Sequence, residues 1–100
     1  MKNVLGEREN ANSPLYAAVA GHLIAEVAGE VVLLHKDNGQ YFGLNHVGKR
    51  IWDMLQNEVC QSEIVATIVS EFDAEQMAIQ NDVECLIVEL LEAGLVRRLA

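Results

Sequence analysis

The stretch Val31-Val-Leu-Leu-His-Lys-Asp-Asn-Gly-Gln-Tyr-Phe-Gly-Leu-Asn45 decides the fold, because two strands, a tight turn and a helix start are all written in it. Its apolar, β-branched opening reaches Asp37-Asn38-Gly39. Asn-Gly favours a type I′ hairpin turn, which needs φ > 0 at both central residues. The returning strand, Gln40 to Leu44, stops at Asn45, whose side chain can accept a hydrogen bond from the first free amides of a helix starting near His46.

Working back towards the N-terminus, Ala28-Gly29 offers a second tight turn, and the residues before it predict a strand from about Gly21 to Val27, although the Ala content of Tyr16 to Ala28 also suits a short helix. Glu30 to Lys36 then becomes the middle strand, its unbroken Val31 to Leu34 core fitting cover on both faces. With two-residue loops at both turns, Leu33 faces Ile24 and Leu44, and His35 faces His22 and Phe42. The opposite face carries Leu23, Val32, Leu34 and Tyr41. Met1 to about Leu15 shows mixed charge, Asn-Ala-Asn-Ser-Pro and no sustained period, which predicts a mobile arm before a single domain over 16–100.

Towards the C-terminus, three helices follow. Val47, Ile51, Met54 and Leu55, with Trp52 beside them, form the apolar stripe of a first helix running through Gln56. Ser62 is placed to cap a second, with Ile64, Val65, Ile68, Val69 and Phe72 on its face. Asp73 and Gln76 have capping-box spacing for a third, which runs to about Ala93 on a stripe of Ile79, Val83, Leu86, Ile87 and Leu90. Gly94 supplies the left-handed position that ends it. Leu95 to Leu99 reads as a short terminal strand or a loose tail. The expected class is α+β, winged helix-turn-helix-like, with a three-stranded antiparallel sheet followed by three helices.

One hundred residues, 51% apolar, are enough to bury about 60 to 65% of the unfolded surface without a metal or disulfide. Nothing resembles a secretory signal or a membrane span, so the cytoplasm and no membrane are expected. A net charge of −8 repels phosphate backbones and weighs against nucleic acid. The three His and two Cys have no ligand spacing such as C-x₂-C or H-x₃-H, so neither a metal nor a thiol nucleophile is expected. Gly39, Gly43 and Gly48 fall in a hairpin, a strand and a helix start, which is no phosphate-loop frame. An enzyme is not expected. The alternative function is a winged-helix DNA-binding regulator, yet the third helix has no Lys or Arg between Asp73 and Ala93.

Gly43 is the sharpest functional clue, because an interior strand Gly often marks where another backbone comes close. With the sheet ordered by sequence, its strand is an edge to which a peptide could add. Relief of packing against a helix explains the Gly equally well.

The run Leu33-Leu34, Tyr41-Phe-Gly-Leu-Asn45, Gly48 and Ile51-Trp52, together with Ile87 to Val96, resembles the PqqD family of small peptide chaperones, the RiPP precursor peptide recognition elements. The likeness spans roughly Gly21 to Leu99. It implies a winged-helix-like domain, without catalytic residues or cofactor, that binds the leader of a ribosomally made precursor peptide and presents it to a modifying enzyme. By position, Gln40, Tyr41, Phe42, Gly43 and Leu44 would supply backbone pairing, and Asp82, Cys85, Leu86 and Glu89 the helix side of the groove. The Tyr-Phe-Gly-Leu-Asn form followed by Trp52 is more similar to the broad group that includes lasso-peptide clusters than to members serving pyrroloquinoline quinone synthesis. The partner enzyme implied is a radical S-adenosylmethionine enzyme, a leader peptidase or another tailoring enzyme. A monomer is expected, with a swapped dimer as the risk of an open edge.

Overall fold

The computed structural model describes residues 13–99; residues 1–12, where most of the expected arm lies, are outside them. Strands β1 (Leu15–Ala18), β2 (Leu23–Val27), β3 (Glu30–Leu34) and β4 (Tyr41–Leu44) are followed by α1 (His46–Met54), β5 (Val59–Cys60), α2 (Gln61–Phe72), α3 (Gln76–Glu92) and β6 (Val96–Arg98). The α+β class and the three helices are as expected. The strands form two antiparallel sheets, ordered β2-β3-β4 and β5-β1-β6, where one sheet was expected.

The β2–β3 turn is the anticipated two-residue one. Val27 pairs with Glu30 and Ile24 with Leu33, and Ala28 and Gly29 take φ of 54° and 83°. The β3–β4 turn is longer than Asn38-Gly39. His35 N–H donates to Gln40 O at 2.8 Å and Gly39 N–H to His35 O at 3.2 Å, so Lys36 to Gly39 form the loop. Side-chain acceptors decide this. His35 Nδ1 accepts from Asp37 N–H at 3.1 Å, and Asn38 Oδ1 from Gln40 N–H at 2.8 Å, closing the chain without a left-handed Asn38. Leu33 therefore faces Phe42 and not Leu44, and His35 faces Gln40 and not Phe42. The shift is two residues, so each side chain keeps its expected face.

Cover on both faces of β3 is also corrected. Leu33 is fully buried, but Val32 and Leu34 on the other face are half-buried, and their neighbours Leu23 and Tyr41 are 57% and 70% exposed. One face of this sheet packs on the helices and the other is open to solvent.

The second sheet joins Leu15 at the end of the expected arm and Tyr16 to Ala18 after it, the connection at Val59–Cys60, and Val96–Arg98, where the terminal strand alternative holds. Leu15 pairs with Cys60, and Tyr16, Ala17 and Ala18 pair with Arg98, Arg97 and Val96. Ser13 and Pro14 add to this seam. Ser13 Oγ accepts from Ser62 N–H at 2.9 Å, and Pro14 O accepts from Gln61 N–H at 2.9 Å. The N-cap of α2 is Cys60, with no capping side chain of its own, so Ser13 does what was expected of Ser62. Asp73 likewise does not open α3; at φ 50° it is the left-handed C-cap of α2, and Glu75 precedes the first turn of α3.

At the other end, Gly94 (φ 78°) donates to Leu91 O at 3.1 Å and Leu95 to Leu90 O at 2.9 Å, the two bonds of a Schellman motif. That reversal sends β6 back beside β1. All three helices and both sheets meet in one core, with Leu33, Ile51, Leu55, Ile64, Ile68, Ile87, Leu90 and Leu95 at its fully buried centre.

Candidate functional site

Among the described residues β4 is an edge strand, and the phase of its hydrogen bonds fixes what that edge offers. Antiparallel partners alternate between pairs that bond each other and pairs whose polar groups point away. The His35–Gln40 bond sets the phase, so Phe42 and Leu44 turn their N–H and C=O groups inward to Leu33 and Val31. Tyr41 and Gly43 turn theirs to the open edge. Two donors and two acceptors thus stand in line on the free side of the sheet.

Gly43 is exposed, and a Cβ built there meets no atom within 4 Å. Relief of packing against a helix, the alternative explanation, is therefore not its role. Gly48 is different. A Cβ there would stand 3.3 Å from Leu44 Cδ2 and 3.4 Å from Asn45 Oδ1, because the first turn of α1 folds directly over the end of β4. Asn45 Oδ1 accepts from Gly48 N–H at 2.8 Å, the expected cap, and holds that turn in place.

Between the β4 edge and α3 lies an open cleft of about 430 Å³, lined by Gly43, Leu44, Asn45, Val47, Gly48, Ile51, Asp82 and Leu86. Gly43, Leu44, Asp82 and Leu86, four of the residues expected at the site, come together here. Cys85 and Glu89 share their stripe on α3 at helical spacing but are exposed beyond the cleft. Gln40 closes the β3–β4 loop opposite His35, Tyr41 projects from the open face, and the half-buried Phe42 packs against the core. Val47 and Ile51 were legible only as core positions of α1, because a stripe broad enough for the core also reaches the cleft floor.

The electrostatics are acidic. Helix α3 contains Asp82, Glu84, Glu89 and Glu92 and no Lys or Arg. Lys49 is held by Asp53 at 2.6 Å. Arg50 spans from α1 to Glu71 of α2 through two bonds of 2.8 and 2.9 Å, and those bonds hold the Glu71 carboxyl below its usual range. Near the β3–β4 turn the rings of His22 and His35 are 4.4 Å apart. His22 Nδ1 accepts from Lys36 N–H at 3.1 Å, and burial, with His35 and Lys36 nearby, pushes the His22 pKa down. Among the described residues no three His, Cys, Asp or Glu converge to hold a metal, and no helix is long and apolar enough to cross a membrane.

Residues 30–96 match the family model of coenzyme PQQ synthesis protein D (PqqD). Among solved structures, that of TbiB1 in complex with the TbiA(beta) leader peptide is 32% identical, with a TM-score of 0.69 over 84% of this chain and 98% of the other. A lasso peptide synthetase B1 complexed with the leader peptide shares the fold at 22% identity and a TM-score of 0.68, over 82% of this chain and 96% of the other. No curated protein matches significantly. The matched span, covering both the β4 edge and α3, makes this chain a member of the PqqD family.

Proposed function

We propose that this chain binds the leader segment of a ribosomally made precursor peptide as a strand added to β4 and presents it to a modifying enzyme. The observation that carries this reading is the open β4 edge, with Tyr41 and Gly43 offering their main chain beside the cleft against α3. The leader-bound forms of TbiB1 and of the lasso peptide synthetase B1 support it.

In this reading, residues 16–100 act as one recognition domain. The segment Gln40 to Leu44 is the docking strand, Tyr41 and Gly43 make the pairing bonds, and alternate leader side chains enter over Leu44 and Leu86. Asp82, Cys85 and Glu89 border the helix side. An added strand suits a binding element: main-chain bonds supply affinity that is tolerant of sequence, and the cleft supplies selectivity. The chain itself does no chemistry and needs no cofactor. It acts as a monomer in the cytoplasm, and a leader peptidase or a radical S-adenosylmethionine enzyme carries out the modification. Nothing favours the winged-helix DNA-binding alternative, since α3, the helix that would read a groove, is acidic.

Titration of isotope-labelled protein with leader peptides from its own gene neighbourhood tests the site. The expected shifts fall on Tyr41, Gly43 and Leu86; shifts confined to α2 or β6 would place binding elsewhere.

A further inference from the structure

We infer that the segment taken up along β4 is basic, with Lys or Arg side chains flanking the apolar ones that fill the cleft; this rests on the strand-addition reading above. Asp82 is the one charged residue lining the 430 Å³ cleft. Glu89 follows it along the same stripe of an α3 that has no cation. A second cleft, of about 750 Å³, continues the first through Gly43, Leu44 and Asn45, and its hairpin wall carries Glu26 and Glu30 beside Ile24 and Val31. The carboxylates of Asp82, Glu89, Glu26 and Glu30 have no hydrogen-bond or ion-pair partner among the described residues. Lys49, the one Lys or Arg bordering either cleft, is already held by Asp53.

A peptide strand passing from one cleft to the other thus runs between unpaired carboxylates over an apolar floor. Long basic side chains suit both, laying their methylene stems on Leu86 or Ile24 while the charged head reaches a carboxylate at the rim. An acidic segment would meet like charge along the whole path, which rejects it more strongly than an apolar fit alone could.

The test is selection from a random decapeptide display library on the full chain. The expected binders carry net positive charge, alternate apolar residues, and shift the Gly43 amide. Their affinity should fall as salt rises from about 50 to 500 mM. Each of the exposed changes Asp82→Asn, Glu89→Gln, Glu26→Gln and Glu30→Gln should weaken such a binder about two- to fivefold, and the four together about tenfold or more, with unchanged melting. Binders whose Lys and Arg are replaced by Gln should lose less affinity from the same variants than the basic binders do, and an equal loss in both would overturn the charge pairing. Neutral or acidic binders that still shift Gly43 would overturn the charge inference and leave strand addition standing. Binders that never shift Gly43 would overturn both.

Discussion

Replacing Gly43 by Pro separates the outer edge of β4 from its inner one. If the Gly43 N–H points away from β3, the substitution removes a donor that the fold does not use. Pro is tolerated on edge strands in that setting, so the cost should stay near 1 kcal/mol, from fitting φ and restricting Phe42. For a domain of this size that is a fall in Tm of about 4 to 8 °C. Binding should suffer more. The added strand loses one N–H···O bond, worth about 0.5 to 1.5 kcal/mol net, and its carbonyl is left facing a pyrrolidine ring, a desolvation cost of about 1 to 3 kcal/mol. A combined loss near 2 kcal/mol weakens the complex roughly 30-fold. Thermal melting followed by calorimetric titration with the leader reads both quantities. Wild-type affinity in a folded Gly43→Pro protein refutes pairing at this residue, and a melt lowered by several times the expected amount refutes the hydrogen-bond phase assigned to β4.

Three further outcomes follow from the same geometry. Gly43→Val should melt at or above the wild-type temperature, since a Cβ there meets nothing and Val gains about 0.5 to 1 kcal/mol in extended backbone, while leader affinity in a titration drops about tenfold because the branched side chain, on the open face with Val32 and Tyr41, crowds the side chain of the leader residue paired opposite it. Ser13→Ala removes the acceptor for Ser62 N–H, and chemical denaturation should show a loss of about 1 kcal/mol. His22 has a folded pKa lowered by burial below its usual 6.5, so it binds fewer protons folded than unfolded. Stability is therefore complete above about pH 6.5 and declines as pH falls through that value towards the folded pKa. His22→Asn, which keeps an acceptor for Lys36 N–H, should flatten this part of a Tm-against-pH profile, and an unchanged slope would assign it to other groups.

What the chain reveals in one dimension depends on how local the cause is. Asn45 at its cap, Ala28-Gly29 in their turn and Gly94 at the end of α3 are each fixed by their own neighbours, and all three were legible. So was the edge strand bearing Gly43, which with Leu44, Asp82 and Leu86 makes up the centre of the candidate site. The Asn38-Gly39 signal failed because His35, three residues away, supplies a competing acceptor that no turn propensity includes. β1 was invisible for a different reason. Leu15 to Ala18 is too short for periodicity, and its partners Val59–Cys60 and Val96–Arg98 lie more than 40 and about 80 residues further along the chain, beyond α1 and beyond all three helices. The cap that Ser13 gives Ser62 spans 49 residues and is equally out of reach of local reading. Asp73 shows the same limit on a small scale, since a residue suited to open a helix is equally suited to the left-handed position that closes one.

Strand addition on β4 is tested most directly by residue-resolved amide hydrogen exchange with and without saturating leader peptide. It predicts an alternating pattern: exchange slows at least about tenfold at Tyr41 and Gly43, whose N–H groups gain partners, and changes far less at Phe42 and Leu44, whose N–H groups are already bonded to β3. Protection that appears instead on α2 or β6, or that leaves Tyr41 and Gly43 exchanging as in the free protein, would contradict it.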